Sequence, residues 1–169
     1  MINKETELNE ALEHGKDCRK GCVHCCLYGT GCLVGDDKKK IATFLDISEN
    51  KLEEKYLETL EKFNTKLLRP KMFKKDGLPY GPCVFLKEDF GCKIHEVKPL
   101  QCKIGTCSSK GEDLSLWFTL NYFVNSKDSE SVKQFAQYLK LGGKTLDKGK
   151  LKDLVKDDVL RNKLIEEVC

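Results

Sequence analysis

The chain has 169 residues, enough for one domain to bury an apolar core without cross-links. Its 30 Lys and Arg against 27 Asp and Glu give a formal net charge of +3. The two signs are interleaved with no basic stripe set among aromatics, so no nucleic-acid partner is expected. No stretch approaches the roughly 18 apolar residues of a membrane span, and Met1 to Glu10 lacks a basic region followed by an apolar run. The expectation is a soluble cytoplasmic protein with no membrane partner.

The predicted elements start with a short helix from about Thr6 to His14, ended by Gly15. Cys18, Cys22, Cys25 and Cys26 follow within nine residues, with Cys32 just beyond, so half of the 10 cysteines lie in one short stretch. Gly15, Gly21, Gly29, Gly31 and Gly35 flank them, which predicts a loop wrapped on an ion. Asp36 or Asp37 can cap a helix carrying Ile41, Ala42, Phe44 and Leu45; Lys38, Lys39 and Lys40 read as its solvated start. Ser48 can cap a longer helix in which Leu52, Tyr56, Leu60, Phe63 and Leu67 recur at helical spacing up to Pro70.

Residues 76–82 hold two glycines and two prolines and read as a loop. Cys83-Val-Phe-Leu86, a polar turn and Gly91-Cys92-Lys-Ile-His95 then suit a small β-hairpin that brings Cys83 near Cys92. Pro99 fits the first turn of a helix with Leu100, Cys102, Lys103 and Ile104, stopped by Gly105. Residues 114–124 satisfy both strand and helix periods, with the balance toward helix. Ser129 to Leu141 is a clearer helix, and the tail to Val168 reads as two helical pieces. The fold class expected is mostly α with a small β-hairpin. Residues 1–110 form a cysteine-rich, metal-centred domain, and residues 111–169 form a helical C-terminal extension packed on it.

Crowded thiolates repel one another and oxidise, so something must neutralise them. In a reducing cytosol a metal ion or iron–sulfur cluster is the expected answer. Cys18, Cys22, Cys25 and Cys26 make one group of candidate ligands; Cys83, Cys92, Cys102 and Cys107 make a second. Eight thiols suffice for two four-coordinate sites or for cross-ligation that ties the groups together. Adjacent Cys25 and Cys26 are expected to serve different metals or different corners of one cluster. Zinc and iron–sulfur both accept four thiolates. C-x3-C-x2-C without a second C-x2-C pair tilts the reading to an iron–sulfur cluster and leaves zinc open.

Two four-thiolate sites would each carry about −2 and cancel the apparent basicity. The lysines and arginine around them, Lys16, Arg19, Lys20, Lys93, Lys98, Lys103 and Lys110, would offset thiolate charge. His24 and His95 read as hydrogen-bonded neighbours rather than ligands. Cys32 is a spare ligand or free thiol, and Cys169 a bystander at the chain end. The same C-x3-C-x2-C run invites a radical S-adenosylmethionine reading, but the helices after Asp36 do not alternate with strands as a β/α barrel requires. No residue is singled out as catalytic, and the protein partner is unknown.

Three pieces in order carry a family resemblance: Cys18-Arg-Lys-Gly-Cys22-Val-His-Cys25-Cys26, Cys83-Val-Phe-Leu86, and Cys92-Lys-Ile-His95-Glu96-Val-Lys98-Pro99-Leu100-Gln-Cys102-Lys103. The chain resembles the YkgJ-like cysteine-cluster family of zinc- or iron-chelating domains, itself similar to the flagellin lysine methylase family. His95 stands where the family has tyrosine, and Lys98 and Lys103 stand where it has arginines. The resemblance covers roughly residues 16–110 and implies metal chelation by the cysteines. By analogy it offers protein-lysine methyl transfer as an enzymatic alternative. No glycine-rich nucleotide loop follows a strand to support that alternative. A metallochaperone or redox carrier is the third reading.

Overall fold

The computed structural model describes residues 1–16 and 22–167. Cys18, Arg19, Lys20 and Gly21, and Val168 and Cys169 at the end, lie outside the described residues. Among the described residues the chain forms nine α-helices and one two-stranded antiparallel sheet. The class is mostly helical with one small hairpin, as the composition and periods predict.

Helix α1 spans Leu8–Gly15 and is followed by a short α2, His24–Tyr28. The expected cysteine loop therefore contains a helical turn, with Cys25 and Cys26 at successive positions of it. Helix α3, Asp37–Phe44, and α4, Glu49–Tyr56, come next. Ser48 caps α4 as expected, its side chain accepting the Lys51 N–H at 3.2 Å.

The long helix predicted onward from Ser48 is not formed. It stops at Tyr56, and Leu57–Lys62 (β1) pairs with Thr65–Pro70 (β2). The register runs from Leu57 opposite Pro70 to Lys62 opposite Thr65. Phe63 and Asn64 form the two-residue turn, with φ of 50° and 56°. Positive φ at both central positions is the geometry that matches the twist of paired strands. The stripe that imitated a helix is really a cross-strand pair, Leu60 opposite Leu67, next to a turn residue, Phe63. Leu57 and Leu68 face one core, while Leu60 and Leu67 face the other. The hairpin thus stands between two hydrophobic clusters with leucines turned to each.

The hairpin expected at Cys83–His95 is reduced to single bridges, Met72 with Cys83 and Leu86 with Cys92. The chain does double back there: Lys87 N–H donates to Gly91 O at 2.7 Å and Lys93 N–H to Phe85 O at 2.8 Å. A 3₁₀ turn, His95–Val97, leads into α5, Leu100–Ile104, with Pro99 and Gly105 at its two caps.

Residues 111–123 are helical, settling the strand-or-helix ambiguity. Helix α6, Gly111–Phe118, runs into a π-helical turn, Thr119–Phe123. The wider turn buries Thr119, Leu120 and Phe123 together with Leu114, Trp117 and Phe118. Trp117 Nε1–H donates to Thr6 O at 2.9 Å and fastens the N-terminal segment. Helix α7, Ser129–Lys140, and the two tail pieces, α8 (Leu151–Leu154) and α9 (Asp158–Glu166), appear where the periods place them. Among the described residues no helix is long and apolar enough to cross a membrane.

The larger core joins Ala11 of α1, Leu100 and Ile104 of α5, the α6 and π-turn aromatics, and Phe135 of α7. The second core holds Leu33, Ile41, Leu52, Leu57, Phe85 and Ile94, with Cys83 buried in it and Cys26 and Cys92 packed against it. A third, small cluster of Val132, Val155 and Leu164 closes the α7–α9 end. The candidate site lies on the second core.

Candidate metal centre

Five thiols gather from three parts of the chain: Cys25 and Cys26 on α2, Cys83 and Cys92 on the doubled-back segment, and Cys102 on α5. The Cys83 N–H donates to Cys26 O at 2.8 Å, which fixes α2 to the later segment by backbone alone. The sulfurs also act on one another. Charge at Cys25, Cys102 and Cys92 opposes ionisation of Cys26. Charge at Cys83, Cys25 and Cys92 opposes that of Cys102, and charge at Cys92 and Cys25 that of Cys83.

The ionisation of each thiol follows from its surroundings. Burial pushes Cys83 up to about 11 and Cys102 up to about 12, and it raises Cys92 as well. Cys25 is exposed, and its side-chain hydrogen bond with Cys26 brings it down to about 6. The same bond is the main reason Cys26 holds its proton more tightly. The two neighbouring thiols therefore do not titrate independently: Cys25 gives up its proton while Cys26 keeps its own. The Lys98 charge favours ionisation of both Cys25 and Cys92, and Lys87 adds to it at Cys92.

Backbone amides point at the buried sulfurs. Phe85 N–H donates to Cys83 Sγ at 3.4 Å, and the Leu86 amide also serves that sulfur. The Ile94 amide serves Cys92, and the Gly31 amide serves Cys102. Such bonds stabilise thiolate over thiol. Gly31 is also a close approach: a Cβ there would lie 2.5 Å from Cys102 Sγ and 2.8 Å from Cys102 N. Beside it, Thr30 Oγ1 is buried with no hydrogen-bond partner among the described residues.

Cys22 and Cys107 are exposed, and neither enters the sulfur–sulfur interactions above. Cys18 lies outside the described residues. Cys32 is wholly buried in the larger core, where burial lifts it to about 11. His24 is exposed and stacks at 5.1 Å on Tyr28, which in turn meets Tyr80 at 6.1 Å. His95 is exposed at the start of the 3₁₀ turn. Among the described residues no three His, Cys, Asp or Glu side chains close to coordination distance around one point.

Three residues that chemistry-bearing motifs did not flag shape this site. Gly31 was visible only as one of several flanking glycines, and Asp37 only as a helix cap. Gln101, whose Oε1 accepts the Cys32 N–H at 2.7 Å, carries no sequence signal of its own.

A sequence model of the CxxCxxCC family, described as a putative zinc- or iron-chelating domain, matches residues 17–136. The chain belongs to this family. No curated protein and no solved structure matches it. The gathered donor set fits the group that the family implies. It is all sulfur, amides are aimed at three of its members, and the glycine at Cys102 leaves the sulfur room. Soft thiolates of this kind suit zinc and iron–sulfur chemistry equally and disfavour hard cations such as magnesium and calcium.

Proposed function

We propose that this chain carries an iron–sulfur cluster, in preference to zinc, on thiolates supplied by Cys18, Cys22, Cys25, Cys26, Cys83, Cys92, Cys102 and Cys107. The observation that carries the reading is that Cys25, Cys26, Cys83, Cys92 and Cys102 lie close enough to act on one another's ionisation, with Cys26, Cys83 and Cys92 at the second core. Those five form its centre, and Cys18, Cys22 and Cys107 complete the donor set. Sulfur-only donors, amides directed at sulfur and the C-x3-C-x2-C spacing all suit a cluster whose potential is set by hydrogen bonds to its sulfurs. When bound, the group supplies either one-electron chemistry, as a cluster, or structural cross-linking, as zinc. The protein's own part is to bring the thiols together, with Lys98 offsetting thiolate charge at Cys25 and Cys92 and Lys87 adding to it at Cys92.

Anaerobic purification followed by iron, zinc and acid-labile sulfide analysis tests the proposal. Iron with matching sulfide and visible absorption is the expected result. Colourless protein with stoichiometric zinc would replace the cluster by a structural ion. Protein made with ample metal and found to hold neither would overturn metal binding by these cysteines.

A further inference from the structure

Asp37 is a buried carboxylate in the first turn of α3, and no metal-ligand pattern includes it. Only 4% of the residue is exposed. Its Oδ2 accepts two backbone N–H groups, from Val34 at 3.0 Å and from Leu100 at 2.8 Å. Its Oδ1 lies 3.9 Å from Lys103 Nζ. Val34 belongs to the loop after α2, and Leu100 is the first residue of α5, which carries Cys102.

One further hydrogen bond and one close approach join the same two segments. Cys32 N–H donates to Gln101 Oε1 at 2.7 Å, and the Gly31 backbone lies against Cys102 Sγ, where it favours the thiolate. Gly31, Cys32 and Val34 are thus stitched in order to Cys102, Gln101 and, through Asp37, Leu100. Asp37 anchors the end of this seam away from the sulfur. A carboxylate oxygen buried between two amides has no water to replace them, so removing it leaves two N–H donors unsatisfied and frees the start of α5.

We propose that Asp37 is a positioning residue for the thiolate centre: by clamping Leu100 to Val34 it sets the register of α5 against the 31–34 loop and so aims Cys102 Sγ. The proposal rests on Cys102 being a ligand, as read above. Groups that orient ligands from outside the coordination sphere commonly govern about 10- to 100-fold in metal affinity.

The test uses the full chain with Asp37→Ala, Asp37→Asn and, as a distant destabilising control, Val132→Ala in the α7–α9 cluster. Two readouts are taken: retention of metal against a chelator, with the thiolate-to-metal absorption band, and hydrogen exchange of the Gly31 and Leu100 amides in metal-stripped protein. Asp37→Ala is expected to weaken metal retention by about tenfold or more and shift the band. It is also expected to speed exchange at Gly31 and Leu100 by about tenfold. Asp37→Asn keeps an oxygen acceptor and should stay close to the parent, while Val132→Ala should lower the melting temperature and leave both readouts alone. Unchanged exchange at Gly31 and Leu100 in Asp37→Ala would overturn the clamp. So would metal loss no greater than in Val132→Ala. Should the parent bind no metal, the ligand reading fails on its own, and the amide exchange still decides whether Asp37 sets the register.

Discussion

The Cys83 amide is bonded to the Cys26 carbonyl at 2.8 Å, although α3, α4 and the β1–β2 hairpin all lie between them in the chain. The two halves of the cysteine motif are therefore joined by backbone as well as by any shared metal. That bond sits at the edge of the second core, so losing a thiolate there acts on packing and coordination together.

Cys26→Ser and Cys102→Ser are accordingly expected to lose metal and stability at once. In small domains the binding free energy of a four-thiolate site is largely folding free energy, and a quarter of a typical total is roughly 3 kcal/mol. Metal analysis and thermal melting of the metal-loaded variants check this. Cys169→Ser serves as control and should match the parent in both. Parent-like behaviour in all three would remove Cys26 and Cys102 from the ligand set.

Gly31→Ala makes a sharper steric test. The new methyl would stand 2.5 Å from Cys102 Sγ and 2.8 Å from a backbone nitrogen, and the nitrogen cannot swing away. Overpacking of this kind costs about 1–3 kcal/mol. It should also displace the sulfur and lower metal affinity. Gly29→Ala meets only the Cys25 carbonyl at 3.9 Å, in extended backbone at φ −176°, and should be close to neutral. Chemical denaturation of stripped protein and chelator competition of loaded protein measure the two effects. Equal behaviour of the two variants would show that the close approach at Gly31 does not bear on the site.

The sequence exposed the site's chemistry better than its framework. Cysteine spacing singled out eight candidate ligands by type, and five of them, Cys25, Cys26, Cys83, Cys92 and Cys102, act on one another's ionisation in the structure. The stripe Leu52, Tyr56, Leu60, Phe63, Leu67 misled because each face of β1 and β2 mixes leucine with polar residues, with leucines turned toward both cores. With leucines split between the two faces there is no clean two-residue alternation to compete with an accidental helical period. The turn that should have announced the hairpin is Phe63-Asn64. Only the asparagine favours positive φ, and Phe63 is held there by packing on Phe135 and Tyr138. Asp37 and Gln101 were beyond reach for a different reason: their partners, Leu100 and Cys32, are set by tertiary contact alone.

The vicinal pair predicts a reactive thiol in metal-free protein. Cys25 is exposed and its hydrogen bond with Cys26 brings it down to about 6, so it is a thiolate at neutral pH. Alkylation by iodoacetamide, mapped by mass spectrometry, should modify Cys25 first, with a rate midpoint near that value. Cys26→Ser should return the midpoint toward the ordinary 9.0 unless the serine hydroxyl donates as well as the thiol did. Loading with zinc or iron should protect Cys25. Labelling of Cys102 ahead of Cys25 would contradict the described environments.

Metal-free and metal-loaded protein should respond to pH with opposite sign. In the folded, metal-free chain, Cys83 is lifted to about 11 and Cys102 to about 12 from an unfolded value near 9.0, mainly by burial. The fold therefore prefers the neutral thiols. Their contribution is fully present below 9.0 and is lost as pH rises through about 11 to 12, on the order of 2 kcal/mol per thiol. Metal reverses the preference, because coordination needs thiolates and protons compete with it as the pH falls. Melting temperatures of stripped protein should thus decline on the alkaline side, while loaded protein should hold there and release metal on the acid side. Stripped Cys83→Ala/Cys102→Ala protein, lacking both titrating groups, should show a flatter alkaline decline than the stripped parent. A loaded protein that loses metal with rising pH would mean that thiolates at these positions are not what holds it.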